Sequence, residues 1–181
     1  SYFSSLPTPF YVIDEDLLQK YLETLDLVQR RTGAKILLAL KGFSMFSTFP
    51  QIGKVLQGIT ASSLHEARLG REEMNKEVHI YAPAYIDEDF DEIASLVDHM
   101  VFNSFAQLKK YRPRLEATSR HIEVGIRVNP EYSEIATAIY DPCAPFSRLG
   151  VTLNNFRADQ LDGVDGLHFH TMCEQNSDTL A

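Results

Sequence analysis

Lys41 stands where a lysine could bond covalently to a carbonyl compound. It directly follows residues 36–40, a continuous apolar run with the length of a strand buried on both faces. An amine held among apolar residues is poorly hydrated, which lowers its pKa and supplies the neutral form that attacks a carbonyl to give a Schiff base. A lysine at a strand end can also extend its charged group into the solvent. Both interpretations of Lys41 stay open at this point.

His168 and His170 are two residues apart on a predicted strand, so we expect both to point to the same face. They could bind a metal, transfer protons or stack on a cofactor, and they could also be hydrogen-bonded core residues. No third ligand follows at a recognisable spacing, so we expect no metal. Glu174 could hold a cationic substrate or face water, whereas nothing nearby in the sequence activates Cys173 as a nucleophile.

Two arginines could bind anionic groups. Arg127 ends an apolar strand, and a buried guanidinium without a partner is costly, so we expect it to bind an anion or a phenolate oxygen. Arg148 lies near the end of an irregular stretch of about 20 residues, and loops of that length in a compact fold are often functional. A disordered excursion is the alternative interpretation of this stretch.

Strand and helix patterns alternate along the chain and must position these residues. Asp14 and Gly33 are the predicted start and stop of the first helix, and Ser63 with Glu66 forms a capping box that begins another. Further helices are predicted over 46–56, 87–96 and from 104 to about 111. The six predicted strands cover 36–40, 58–61, 78–81, 99–102, 122–128 and 164–169.

This alternation predicts an α/β fold with a parallel sheet, either doubly wound or a (β/α)8 TIM-type barrel. Polar or small residues follow nearly every strand, and such a ring at the carboxyl ends of the strands favours the barrel. The glycine-rich phosphate loops of open nucleotide-binding sheets are not present in the sequence. Because a closed barrel needs about 250 residues, we expect residues 1–181 to form one incomplete barrel domain with about six of the eight strands.

Composition narrows the classes of partner. The chain has 17 Lys and Arg against 25 Asp and Glu, and its net charge of −8 disfavours nucleic acids and anionic membranes. No apolar run approaches the roughly 20 residues of a membrane span, and the first residues lack the features of a signal peptide. The two cysteines have no CxxC spacing, so a reducing cytoplasm is the expected location.

Seven short motifs spread over the whole chain resemble, in register, the fold-type III pyridoxal-phosphate enzymes. That group includes alanine racemase, diaminopimelate decarboxylase and the ornithine and arginine decarboxylases. Residues 38–43 and 168–174 are most similar to the carboxynorspermidine decarboxylase branch of the group. The motifs lie at residues 9–14, 39–41, 62–66, 102–104, 127–130, 147–150 and 166–170.

The resemblance implies pyridoxal 5'-phosphate as the cofactor and gives roles to five residues. Lys41 matches the catalytic lysine that holds the cofactor as a Schiff base, and His170 matches the histidine that stacks on its ring. Glu66 and Arg127 match positions near the cofactor. Arg148 matches an arginine that reaches the ring hydroxyl in racemase relatives.

The resemblance also implies the reaction, which is decarboxylation of carboxynorspermidine or carboxyspermidine in polyamine biosynthesis. Glu174 and His168 are the expected contacts of this polyamine-like amino acid. Diaminopimelate- and ornithine-type members carry an Asp where this chain has Thr60, which disfavours those two specificities. A diaminopimelate-type decarboxylase, an amino-acid racemase, a non-catalytic regulatory homologue and a cofactor-free Schiff-base aldolase are the alternatives.

Members of the group continue beyond the part that matches this chain. They have two more barrel strands, a glycine-rich phosphate site and a C-terminal β domain that contributes to the partner subunit's site. We therefore expect the C-terminal half to be missing or to form a separate chain, and the complete protein to be a homodimer. We expect the 181-residue chain alone to bind the cofactor weakly and to turn over no substrate.

Overall fold

Six parallel strands form one sheet in the computed structural model, which describes residues 2–172. The strands pair in the order in which they follow along the chain, so each strand lies beside its sequence neighbour. The strands are β1 (Leu37–Ala39), β2 (Gly58–Ala61), β3 (Glu77–Tyr81), β4 (His99–Phe102), β5 (Glu123–Arg127) and β6 (Gly166–His168). All six predicted strands are confirmed, with β1, β5 and β6 shorter than predicted.

Helices connect most of the strands. They are α1 (Glu15–Thr32), α2 (Phe49–Ile52), α3 (Leu64–Leu69), α4 (Phe90–Leu96) and α5 (Phe105–Glu116). The helix predicted over 46–56 is wrong in length, because Pro50 stands in the first turn of α2 and Gly53 ends it. A 3-10 turn at Phe46–Thr48 precedes α2. None of the helices in the described residues is both long and apolar enough to cross a membrane.

Local capping groups set the ends of the helices as the sequence predicts. The Asp14 carboxylate accepts a hydrogen bond from the backbone N–H of Leu17 at 3.0 Å, and Gly33 ends α1 in the left-handed region with φ of 74°. The Ser63 hydroxyl accepts from the N–H of Glu66 at 3.3 Å, and the Glu66 carboxylate accepts from the N–H of Ser62 at 2.6 Å.

The core lies between the sheet and the helices that cover its outer face. Val78 and Ile80 of β3 are buried, as are Met100 and Phe102 of β4, and the residues between them point to the inner face. Sequential strand order with covering helices is the arrangement of a barrel wall. The structure is therefore a six-stranded half-barrel, as the sequence predicts.

Candidate active site

A cavity of about 420 Å³ lies at the carboxyl ends of the strands. One side of it consists of residues at or just after β1, β2, β3, β5 and β6. The other side is part of the connection between β5 and β6, and we call residues 139–149 the covering segment. The lining residues are Ala39, Lys41, Thr60, Ala61, Ser62, Tyr81, Arg127, Ile139, Tyr140, Asp141, Pro142, Leu149, His168 and His170.

Lys41 lines this cavity together with both histidines, but its side chain is exposed. Of the two interpretations that the sequence left open, the exposed one describes this side chain, since apolar neighbours do not enclose it. The strand ends at Ala39 and Lys41 lies in the following turn, on a strand that has a single partner in the described sheet. Leu40, 3% exposed, is the buried residue of this turn. Lys41 thus faces the cavity from its rim.

Both histidines of the β6 end are neutral near pH 7. Burial, followed by the nearby charges of Arg127, His170 and Lys41, lowers the pKa of His168 from 6.5 to about 4. The pKa of His170 is also lowered, first by partial burial and then by Lys41 and Arg127. A neutral imidazole presents a flat ring and one free lone pair. The Nδ1 atom of His168 is buried without a hydrogen-bond partner in the described structure.

Arg127 is buried, as the sequence predicts, with 5% of its surface exposed. Its guanidinium carbon lies 4.7 Å from the centre of the Tyr81 ring, which is within cation–π range. Its Nε–H is buried and has no hydrogen-bond partner among the described residues. An unpaired buried N–H of a cation in a cavity is a ready donor to an anionic or polar ligand atom.

Tyr81 and Asn103 are two residues of this site whose roles the sequence reasoning missed. The Tyr81 hydroxyl donates to Asn103 Oδ1 at 2.7 Å, and the Tyr81 ring lies 5.1 Å from the ring of His168. Burial raises the pKa of Tyr81, so its phenol stays protonated at neutral pH. The alternation of β3 was the available signal, because it turns Tyr81 to the face opposite Val78 and Ile80.

Two residues predicted to lie near the cofactor are not brought into the lining of the cavity. Glu66 is held at the start of α3 by its bond to the N–H of Ser62, and Ser62 itself reaches the cavity. The Arg148 side chain is exposed and lines a separate hollow beside Ser104. Cys173 and Glu174 lie outside the described residues, so the expected contact of Glu174 with substrate stays a prediction.

A cluster of Glu77, His79 and His99 lies on the inner face nearer the amino ends of the strands. The two imidazole rings stack with centres 3.7 Å apart and planes 17° apart. An imidazole binds a metal through a lone pair in its ring plane, and nearly parallel rings cannot both direct such a pair at one ion. Each ring has a carboxylate partner instead, Glu77 at 3.1 Å from His79 and Glu123 at 2.9 Å from His99.

Comparisons with curated proteins give relatives over nearly the whole chain. It is 41% identical over 179 residues to a carboxynorspermidine/carboxyspermidine decarboxylase of Campylobacter jejuni, covering 99% of this chain and 46% of that protein. It is 44% identical over 178 residues to a carboxyaminopropylagmatine decarboxylase of Synechocystis, covering 98% and 45%. The chain thus spans about half the length of the curated relatives it matches. No protein-family model matches it.

Comparisons with solved structures give decarboxylases as well. A carboxynorspermidine decarboxylase from Campylobacter jejuni, complexed with norspermidine, superposes with a TM-score of 0.86 at 39% identity, covering 97% of this chain and 44% of that one. A diaminopimelate decarboxylase from Helicobacter pylori superposes with a TM-score of 0.76 at 18% identity, covering 96% and 47%, which shows a shared fold alone. The resemblance to fold-type III decarboxylases and the barrel architecture are confirmed.

Proposed function

We propose that this chain is the amino-terminal part of a pyridoxal-phosphate-dependent carboxy-lyase that acts on carboxynorspermidine or carboxyspermidine, with Lys41 as its covalent lysine. One observation carries the proposal. Lys41, Arg127, His168 and His170 line a single cavity at the carboxyl ends of the strands, in a chain whose relatives are named as such decarboxylases. Active sites of barrels lie at this end of the strands.

The cavity's donor set fits pyridoxal phosphate. When bound, this cofactor supplies an electron sink that stabilises the carbanion left by loss of CO2. Lys41 would hold its aldehyde through the side-chain amine. The ring of His170, neutral near pH 7, suits stacking on the cofactor ring. Arg127 Nε and His168 Nδ1 have no hydrogen-bond partner within residues 2–172, and we assign them to polar atoms of the cofactor or the substrate.

The cavity also has a feature suited to an amine-rich substrate. Asp141 is the one acidic residue lining it among the described residues, and it stands on the covering segment. Its Oδ1 accepts from the N–H of Cys143 at 2.8 Å, which fixes the carboxylate in a turn. We assign Asp141 to an ammonium group of the substrate. Glu174, with His168, is proposed for further contacts with the same substrate.

The other parts of the site are proposed to orient the ligands and to exclude water. Arg127, buried and always charged, orients anionic groups in the cavity. Burial is the main reason that both nearby imidazoles are neutral, and the positive charge of Arg127 lowers their pKa further. The covering segment restricts water on one side of the cavity, and water exclusion strengthens these electrostatic contacts. We still propose Glu66 and Arg148 as cofactor contacts. Their contact with the cofactor would require a rearrangement of the site or a link through groups outside the described residues.

Several properties of the complete protein belong to the proposal. We propose a homodimer in the cytoplasm, and an active site that needs the part of the relatives' length which this chain does not match. Residues 1–181 alone should bind the cofactor weakly and release no CO2. Measurable decarboxylation by these residues, with no second polypeptide present, would contradict that expectation.

A second candidate substrate follows from the Synechocystis relative, which at 44% identity is named for carboxyaminopropylagmatine. That substrate ends in a guanidinium group, and Asp141 could pair with a guanidinium as well as with an ammonium group. The diaminopimelate-type and racemase alternatives are not favoured, because the curated relatives at 36–44% identity are named for carboxynorspermidine, carboxyspermidine or carboxyaminopropylagmatine.

The test is a substrate panel on the purified natural protein loaded with pyridoxal phosphate. CO2 release is measured with carboxynorspermidine, carboxyspermidine, carboxyaminopropylagmatine and diaminopimelate, and racemisation is measured with alanine. We expect release from the carboxylated polyamines, its loss in Lys41→Arg, and no change in Lys109→Arg, which alters an exposed lysine that is not among the residues lining the cavity. Turnover of diaminopimelate or alanine alone would refute the proposal.

A further inference from the structure

The side-chain amide of Asn103 joins the sheet to the covering segment. Asn103 directly follows β4, and its Nδ2 donates to the backbone carbonyl of Arg148 at 2.8 Å. Its Oδ1 accepts two hydrogen bonds of 2.7 Å each, one from the backbone N–H of Gly150 and one from the hydroxyl of Tyr81. One side chain thus binds two backbone groups of the connection and one residue of the cavity wall.

An amide suits this position because its two ends differ. A backbone N–H can only donate and a carbonyl can only accept, so the side chain between Gly150 and Arg148 must offer both an acceptor and a donor. A carboxylate would set a negative oxygen against the Arg148 carbonyl, and an aliphatic side chain would leave both backbone groups without this partner.

Asn103 is itself held in place. Its backbone N–H donates to Oε1 of Gln107 at 2.7 Å, and the hydroxyl of the next residue, Ser104, caps α5 by accepting from the N–H of Gln107 at 3.1 Å. Position 103 is therefore fixed by the start of a 12-residue helix that packs on the sheet. A fixed donor can position a loop, whereas a mobile one would move with it.

Two sides of the cavity depend on these three hydrogen bonds. On one side, the covering segment ends at Leu149 and also carries Asp141 into the cavity. On the other, Tyr81 presents its ring to the Arg127 guanidinium. Asn103 itself is not among the lining residues, so it acts through its partners rather than on a ligand.

We propose that Asn103 is a positioning residue that holds the covering segment against the cavity lined by Lys41 and fixes Tyr81 beneath Arg127. This inference rests on the proposed function, because the cavity it shapes is the one assigned to the cofactor and substrate. The bonds of the amide to Gly150 and Arg148 are expected to keep the segment closed, and the bond to Tyr81 to keep the Arg127 guanidinium in its observed place.

Native-state trypsin cleavage after Arg148 tests the first half of the proposal without any cofactor. Arg148 is exposed within the covering segment, and Arg157 is an exposed reference site outside it. We expect cleavage after Arg148 to be roughly tenfold faster in Asn103→Ala and faster in Asn103→Asp, because each lost hydrogen bond raises the open population. Cleavage after Arg157 should not change. Asn155→Ala, which removes an exposed bond to Thr152, is the matched control.

Borohydride trapping of pyridoxal phosphate on Lys41 tests the second half. The cofactor concentration for half-maximal labelling should rise about tenfold in Asn103→Ala, as expected for a loss of roughly 1–1.5 kcal/mol, and stay unchanged in Asn155→Ala. Circular dichroism and the urea midpoint confirm that each variant is folded. Asn103→Asp keeps the acceptor for Tyr81, so its labelling should lie between those of the wild type and Asn103→Ala.

The outcomes separate the two proposals. Wild-type cleavage after Arg148 in both Asn103 variants would overturn the positioning role, whatever the cofactor does. Faster cleavage with unchanged labelling would also overturn it, because Asn103 would then be a structural anchor alone. Faster cleavage in a protein whose wild type never labels at Lys41 would overturn the proposed function and leave the anchoring of the segment in place.

Discussion

The guanidinium of Arg127 lies over the ring of Tyr81, 4.7 Å from its centre, although the two residues belong to strands that are not neighbours. Tyr81 ends β3 and Arg127 ends β5, with β4 between them. Along the row between them, Tyr81 pairs with Val101, and Val101 pairs with Gly125. The curvature of the half-barrel brings the two residues together across β4.

Arg127→Lys should separate the charge of this residue from its shape. Lysine keeps the positive charge but lacks the planar guanidinium, its stacking and its Nε–H. We expect cofactor affinity, measured by absorbance titration, to fall about tenfold or more, which corresponds to at least about 1.4 kcal/mol. Arg157→Lys, an exposed arginine away from the cavity, should bind as the wild type does. Equal affinity in Arg127→Lys would show that charge alone suffices.

Stability should depend on pH through His168. Its pKa in the folded protein is about 4, below the ordinary value of 6.5, because burial and nearby cations disfavour its charged form. Between these two values the unfolded chain binds more protons, so the contribution is complete above pH 6.5 and is lost as the pH falls towards 4. Urea unfolding at pH 7.5 and 5 should show a smaller pH-dependent loss in His168→Gln than in the wild type. An identical loss would contradict the burial of this imidazole.

Asp141→Asn should raise KM for carboxylated polyamines by about tenfold, the loss expected when one charge-assisted hydrogen bond to an ammonium group is weakened. The turnover number should change far less, because Asp141 is assigned to binding and not to bond breaking. Asp159→Asn alters an exposed carboxylate that is not among the lining residues and serves as the control. A drop in kcat at unchanged KM would contradict the assignment of Asp141 to substrate binding.

Gly150 meets two requirements that alanine cannot meet. Its φ is +85°, and a Cβ atom there would lie 2.9 Å from the carbonyl carbon of Val128 and 3.1 Å from Cγ of Arg127. We expect Gly150→Ala to lower the free energy of unfolding by about 2–4 kcal/mol, the sum of left-handed strain and close contact. Gly33 has a φ of +74°, and a Cβ atom added there would meet open space. Gly33→Ala should therefore lower the free energy of unfolding by only about 1 kcal/mol. Equal losses would show that contact at Gly150 is relieved elsewhere.

The fold was largely predictable because each element carries a local signal. Apolar runs gave the strands, and Asp14, Gly33 and Ser63 gave helix ends that the structure reproduces. The class of site was also predictable, because parallel strands bring their carboxyl ends together. Lys41 is far in sequence from His168 and His170 but was therefore expected at the same edge, and the three residues line one cavity.

The features that the sequence did not predict depend on three-dimensional relationships that no local pattern records. The exposure of Lys41 follows from where β1 stops and from its single neighbouring strand. The Tyr81–Arg127 pair follows from sheet curvature. The bonds of Asn103 to Arg148 and Gly150 join residues 45 and 47 positions apart, in a loop whose conformation the sequence left open.

The most direct measurement of the central claim is the site of covalent capture. The purified natural protein is incubated with pyridoxal phosphate, reduced with borohydride and digested, and the modified lysine is identified by mass spectrometry. We expect one pyridoxyl group on Lys41, its loss in Lys41→Arg, and full labelling in Lys109→Arg. Stoichiometric labelling of a different lysine, or none at saturating cofactor in a folded protein, would contradict the account.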